Sequence, residues 1–265
     1  MKMIANYHTH TVRCGHASAE DERAYVEAAI AAGFEELGFS DHCPMPVPEG
    51  ADISKWAMSI RMKTEETEDY VGKLLCLREE YKNDIKIHIG FEAEYYPETF
   101  DGFIEFIGQF PTDYIILGQH FSSVFGEPTY HGTETRSKDV LKRYVDQICG
   151  GMETGKFTYL AHPDLCPYRG DLGFYEEQMT RVITCANKHN VPLEINLLGI
   201  DETRAYPTMS FWTLASEIGC DVVIGSDAHN TRSMYPEKAV YYAHKIIEKN
   251  SGLRLLDKVK LIRPI

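Results

Sequence analysis

The chain has 265 residues, 43% of them apolar, and a formal net charge of −13. This length suffices for one large core, and no apolar run is long enough to span a bilayer. The acidic balance argues against general nucleic-acid binding, which needs a basic footprint, and fits a plain acidic surface better than a dedicated cation-binding role.

Short β-branched or apolar runs alternate with longer segments of helical period. Strands are expected near 3–8, 36–40, 86–94, 114–119, 158–161, 192–196 and 221–225. Helices are expected near 19–33, 62–83, 101–108, 137–153, 173–189, 208–218 and 234–249. Ser18 and Ser137 stand where N-caps belong, and Gly33 and Gly219 where helices stop. Repeated strand–helix units imply a parallel sheet. No G-x-G-x-x-G follows the first strand, and polar residues cluster after nearly every strand, so closure into a barrel is expected over an open doubly wound sheet. No linker or low-complexity tract breaks the chain, so residues 1–265 read as one domain. The proline-bearing connection 43–61 and the segment 122–136 are expected to lie over the barrel mouth. The seven cysteines include no C-x-x-C pair and read as reduced thiols. The start, MKMIANYHTH, lacks the apolar segment of a signal peptide, so a cytoplasmic location is expected.

The strand ends carry the chemistry. The first supplies His8 and His10, whose spacing puts both rings on one side of a strand, and His16 follows in the loop. The second ends in Asp41 and His42, the third carries Glu92 and Glu94, and the fourth ends in His120. The fifth ends in His162, the sixth in Glu194 and Asn196, and the seventh in Asp227 and His229. Singly, each has an ordinary reading: His42 as a loop residue, Glu92 as an ion-pair partner in a barrel layer, Asp227 as a helix cap. Jointly, His8, His10, His16, His42, Glu92, His120, His162, Asp227 and His229 are too many for packing alone, because buried charge without a partner is expensive. Imidazole with carboxylate is a ligand set for zinc, manganese or iron. Nine donors exceed one tetrahedral ion and suit two or three, with a carboxylate such as Glu92 bridging a pair.

In HTH at 8–10, DH at 41–42, GFEAEY, GQHF, AHPD and GSDAH, the chain resembles the polymerase-and-histidinol-phosphatase (PHP) superfamily over nearly its whole length. Among its members it is most similar to the monofunctional histidinol-phosphate phosphatases. The resemblance implies an α/β fold, a distorted seven-stranded (β/α)7 barrel of TIM-like type, and a trinuclear metal centre. By that analogy His8, His10, Glu92 and Asp227 hold one metal, Glu92, His120 and His162 a second, and His16, His42 and His229 a third. The same analogy places phosphate-binding arginines at Arg169 and Arg204, whose forks suit a phosphate oxygen pair. Here the chain departs from its relatives, which carry a small-residue pattern N-T-S/A-G-L-R after this strand. It has NLLGIDETR instead, with the arginine displaced and bulkier residues between, which bears on the substrate more than on the reaction.

The implied reaction is metal-assisted hydrolysis of a phosphomonoester, histidinol phosphate being the favoured small phosphorylated metabolite. Asp41 or a metal-bound water is a candidate acid for the leaving alkoxide, and Asp41 has an alternative role in orienting His42 or a neighbouring ligand. Glu94, Glu194 or Asp201 would attract a cationic amino alcohol. Alternatives are a PHP phosphoesterase acting on a nucleotide, a sugar phosphate or an oligonucleotide 3′ end, and a metal-binding module without turnover. An amidohydrolase barrel would also begin with H-x-H, but no lysine stands at an expected strand end to bridge its metals.

Overall fold

In the computed structural model, which describes residues 3–265, strands and helices alternate from β1 to β7. The strands are β1 (Ala5–Asn6), β2 (Glu36–His42), β3 (Lys86–Ala93), β4 (Tyr114–Leu117), β5 (Leu193–Asn196), β6 (Cys220–Gly225) and β7 (Leu253–Leu255). The helices are α1 (Glu22–Ala32), α2 (Lys55–Ser59), α3 (Thr67–Glu80), α4 (Phe100–Ile107), α5 (Lys138–Glu153), α6 (Leu172–His189), α7 (Leu197–Asp201), α8 (Met209–Ile218) and α9 (Glu237–Lys249). Ser137 caps α5 as expected, its hydroxyl accepting from Val140 N. At α1 the cap is Asp21, whose carboxylate accepts from Arg23 N, and Ser18 turns instead to Glu20 at 2.6 Å. Gly33 ends α1 in the left-handed region at φ 78°.

All strand pairs are parallel, in a sheet ordered β1-β2-β3-β4 and a second ordered β5-β6-β7. The expected fifth strand, 158–161, is reduced to a single bridging residue. Leu160 pairs with Leu117 on one side and Leu193 on the other, and so joins the two sheets. Five backbone hydrogen bonds of 2.8–3.0 Å carry this seam. Thr9 pairs with Ala228 on the opposite side, so the wall curls round and meets itself at the C-terminal ends of the strands. The short β7 was not expected; its three residues follow α9 and pair with the start of β6.

Strand alternation sorts side chains into two layers. On β3, Ile87, Ile89, Phe91 and Ala93 face the helices and join Leu74 and Leu77 of α3 in the main core. His88 and Glu92 take the other face. Inside the wall, Tyr7, Tyr114, Ile116, Tyr159 and Val223 form a separate plug. The Tyr114 hydroxyl lies 2.7 Å from Tyr7 O and 3.1 Å from Phe39 O, so the plug satisfies its own polar atom. The plug separates the polar residues of the mouth from the opposite end, where His88 bonds Glu36 at 2.8 Å. Over that mouth, segments 43–61 and 122–136 pair with each other through Ile53 and Phe125. No helix among the described residues is long and apolar enough to cross a membrane, and the seven cysteines are free thiols.

Candidate active site

Glu92, on the lumen face of β3, is the centre of the site. One carboxylate oxygen, Oε2, lies 2.9 Å from His42 Nδ1, 3.5 Å from His10 Nε2 and 3.6 Å from His8 Nε2. The other, Oε1, lies 2.9 Å from His162 Nε2 and 3.7 Å from His120 Nε2. Five imidazoles from four strand ends thus converge on one carboxylate that is 2% exposed. Room for it comes from Gly118, where any Cβ would collide with the Glu92 carboxylate. Asp227 completes this side, with Oδ1 at 3.1 Å from His10 Nε2 and 3.4 Å from His8 Nε2. Asp227 and His162 both sit at positive φ, 50° and 30°, a strained conformation of the kind that collects at functional sites.

His16 and His229 form the outer edge. A short helical turn at Val12–Cys14 and the left-handed Gly15, φ 77°, bring His16 back over the mouth. His16 Nδ1 lies 2.9 Å from Cys14 O, and His229 Nδ1 lies 3.0 Å from Asp227 O. A carbonyl only accepts, so each Nδ1 carries the proton and each Nε2 is a bare lone pair. These two lone pairs face each other at 2.9 Å, with His42 in the same group of donor atoms, all within 4.8 Å of one another. Facing lone pairs repel unless a cation lies between them, and this is the donor chemistry of a metal site. His8 repeats the pattern. Its Nδ1 lies 2.8 Å from the Glu194 carboxylate, and its buried Nε2 has no hydrogen-bond partner although carboxylate oxygens surround it. The residues therefore fit divalent ions.

The protonation balance agrees. Burial pushes His42 down to about 3, with His10 adding to the effect and Glu92 opposing it. Burial and the neighbouring His10 likewise bring His229 to about 3, against Asp227. Both rings are neutral near pH 7, as ligands must be. Burial opposes charge on His10, but the nearby carboxylates of Asp227 and Asp41 outweigh it and raise that ring to about 9. Burial also works against ionisation of Glu92, yet His42, His120 and His8 hold it well below the usual carboxylate range. Without metal, protons on His8 and His10 offset part of the carboxylate charge.

Of the remaining candidates, some support the cluster from behind and others lie elsewhere. Asp41 does not face the cavity. It alternates with His42 along β2 and points outward, accepting from Thr11 N at 3.2 Å and from the Thr11 hydroxyl. Its Oδ1 lies 3.7 Å from His10 Nδ1, so it steadies His10 rather than the His42 ring. Glu194 is fully buried and engaged by His8, by the backbone N of His162 at 3.1 Å and by Asn196 at 2.9 Å. Gly225 gives it room as Gly118 does for Glu92, a Cβ there colliding with its carboxylate. Glu94 is ion-paired with buried Arg61, and its Oε1 accepts from the backbone N of His120 and Phe121, each at 2.7 Å. Neither Glu94 nor Glu194 is free to meet a substrate. Arg169 is exposed and pairs with Glu134 at 3.2 Å, away from the cavity wall. Asp201 is exposed at the end of α7. Arg204 does line the cavity, within reach of Glu202 and the Tyr206 hydroxyl at 3.1 Å.

The cavity above the cluster has a volume of about 290 Å³, at the small end for a metabolite site. Both mouth segments contribute to it, Trp56 and Ile60 from one and Tyr130 from the other. A larger groove of about 750 Å³ beside α4 contains no histidine and none of this chemistry. Sequence reasoning missed Arg61, Trp56, Tyr130 and Tyr206. For Trp56 the available signal was an aromatic within a proline-bearing loop expected over the mouth. Arg61 gave no signal, because its partner, Glu94, comes from a distant segment of the chain.

A parallel barrel-like wall with imidazoles and carboxylates gathered at the C-terminal strand ends defines a metallohydrolase type of protein. The chain belongs to the PHP domain family, which matches residues 6–197. It is 29% identical to a Deinococcus radiodurans protein named "Probable histidinol-phosphatase", over 100% of this chain and 95% of that one. It is 33% identical to the Bacillus subtilis histidinol-phosphatase over 43% of this chain and 42% of that one. Among solved structures it resembles the Lactococcus lactis histidinol phosphate phosphatase crystallised with zinc, L-histidinol and phosphate. That likeness has a TM-score of 0.73 at 20% identity, covering 98% of this chain and 100% of the other.

Proposed function

We propose that this protein is a metal-dependent phosphomonoester hydrolase acting on L-histidinol phosphate, working in the cytoplasm as one catalytic unit. The observation that carries the proposal is Glu92, with five imidazoles divided between its two oxygens. The family and its histidinol-phosphatase relatives support the choice of substrate.

His8, His10, Glu92 and Asp227 would hold one divalent ion, Glu92, His120 and His162 a second, and His16, His42 and His229 a third. When bound, two or three ions of zinc, manganese or iron neutralise phosphate charge and make water acidic enough to attack phosphorus near pH 7. The protein keeps its donors in place for this. Glu194 fixes the proton of His8 on Nδ1, so that Nε2 points into the cluster; Asp41 steadies His10; and the carbonyls of Cys14 and Asp227 do the same for His16 and His229. Arg204 is the cationic side chain of the cavity wall, and its guanidinium receives the phosphate oxygens. Its pairing with Glu202 is exposed and cheap to exchange for phosphate. Asp41 is turned away from the cavity, so the leaving alkoxide takes its proton from water at the open mouth.

A panel of L-histidinol phosphate, a nucleoside monophosphate, a sugar phosphate and a short oligonucleotide tests the proposal. Phosphate release should be most efficient from L-histidinol phosphate. Release of mononucleotides from the oligonucleotide would identify a nuclease, and full metal occupancy with no release from any substrate would identify a binding module.

A further inference from the structure

A phosphorylated amino alcohol has two halves, and the arrangement above accounts for only the phosphate. The other half carries positive charge, yet no carboxylate of the cavity wall is free to receive it. Glu92 and Asp227 are enclosed by histidines, Glu94 is closed off by Arg61, and Glu194 lies behind His8. What remains on the mouth side is aromatic. Trp56 meets Phe121 edge-on, with centroids 4.9 Å apart, and Tyr130 at 5.8 Å; Phe121 and Tyr130 are 5.4 Å apart. Trp56 sits on the five-residue helix α2 and is 53% exposed, whereas Trp212 is fully buried. A half-exposed indole at the rim of a polar cavity, braced by two further rings, offers a flat electron-rich face. Such a face attracts ammonium and flat cationic rings without a carboxylate.

We propose that Trp56, braced by Phe121 and Tyr130, is the specificity-determining surface for the alcohol half of the substrate, and that it selects a cationic or heteroaromatic alcohol over a small neutral one. The inference rests on the proposed function and adds to it the residue that recognises the leaving group. Placing that surface on the mouth segment leaves the metal cluster and Arg204 to handle any phosphate, so discrimination and catalysis depend on different residues.

The test compares metal-loaded wild type, Trp56→Leu and Trp56→Phe on L-histidinol phosphate and on glycerol phosphate. In Trp56→Leu, kcat/KM for L-histidinol phosphate should fall about tenfold, mostly through KM, while glycerol phosphate hydrolysis stays the same. Trp56→Phe should restore most of the loss. A Trp56→Leu enzyme that keeps the wild-type preference, or loses both activities equally, overturns the role of Trp56. A wild type with no preference for L-histidinol phosphate overturns instead the substrate reading of the preceding section. A readout independent of turnover is available because Trp212 is buried. Saturating L-histidinol should shield the exposed tryptophan emission from acrylamide quenching; unchanged quenching at saturation would also overturn the proposal.

Discussion

Replacing Arg61 with Met tests how the mouth segment is coupled to the metal cluster. Arg61 and Glu94 pair with each other and have side chains only 2% exposed. Removing the guanidinium leaves a buried carboxylate held by two backbone N–H groups, those of His120 and Phe121. Breaking one partner of a buried pair costs about 3–5 kcal/mol. Because the two charge-assisted hydrogen bonds survive, the lower end applies, about 3 kcal/mol. For a chain of this size that corresponds to a fall in Tm of roughly 6–12 °C. Glu94→Gln in the Arg61→Met background removes the stranded charge while keeping an acceptor for both N–H groups. It should recover more than half the loss, and because Glu94→Gln alone strands the buried guanidinium, the coupling energy in a double-mutant cycle should exceed about 2 kcal/mol. Urea unfolding of metal-free protein measures all four corners. A single-mutant loss below about 1 kcal/mol, or strict additivity in the cycle, would refute the reasoning.

Three further outcomes follow from the same geometry. Glu194→Gln weakens the bond that sets the His8 tautomer, so metal affinity should fall roughly 10–100-fold with the fold intact; an unchanged affinity would remove Glu194 from that role. Arg204→Ala should lower kcat/KM on phosphomonoesters, and an unchanged value would return Arg204 to the surface. Metal binding should release protons near pH 7. His10 is held at about 9 in the metal-free cluster and His8 is also raised, so both are protonated there and must lose that proton to bind metal. Apparent affinity should therefore climb with pH until about 9, and calorimetry in buffers of different ionisation enthalpy should show the release. Binding heats independent of buffer would contradict this.

The histidine–carboxylate cluster is legible in the sequence because strand periodicity and donor chemistry are both local. The spacing in H-T-H places His8 and His10 together, and their ring centroids are 5.1 Å apart. The same rule, applied to neighbours, excludes Asp41: adjacent residues on β2 face opposite sides, and His42 takes the lumen. Glu94 illustrates where the rule stops. It has the parity of Glu92 but lies beyond the end of β3 at Ala93, where the chain turns it toward Arg61. Strand parity also places Glu194 in the lumen, but its bond to His8 is hidden from the sequence, since that partner comes from the opposite end of the chain. The fifth strand shrinks to Leu160 because one pair of bridges closes the gap between the sheets. The aromatic rim depends on two loops meeting through Ile53 and Phe125, a tertiary contact that local pattern does not encode.

The most direct test of the central claim is Glu92→Gln, followed by elemental analysis and phosphate release from L-histidinol phosphate. Wild type should carry two or three divalent ions. Losing the negative charge shared by five imidazoles should cost at least one of them and lower turnover by roughly a hundredfold or more. Undiminished metal content together with wild-type turnover would contradict the account.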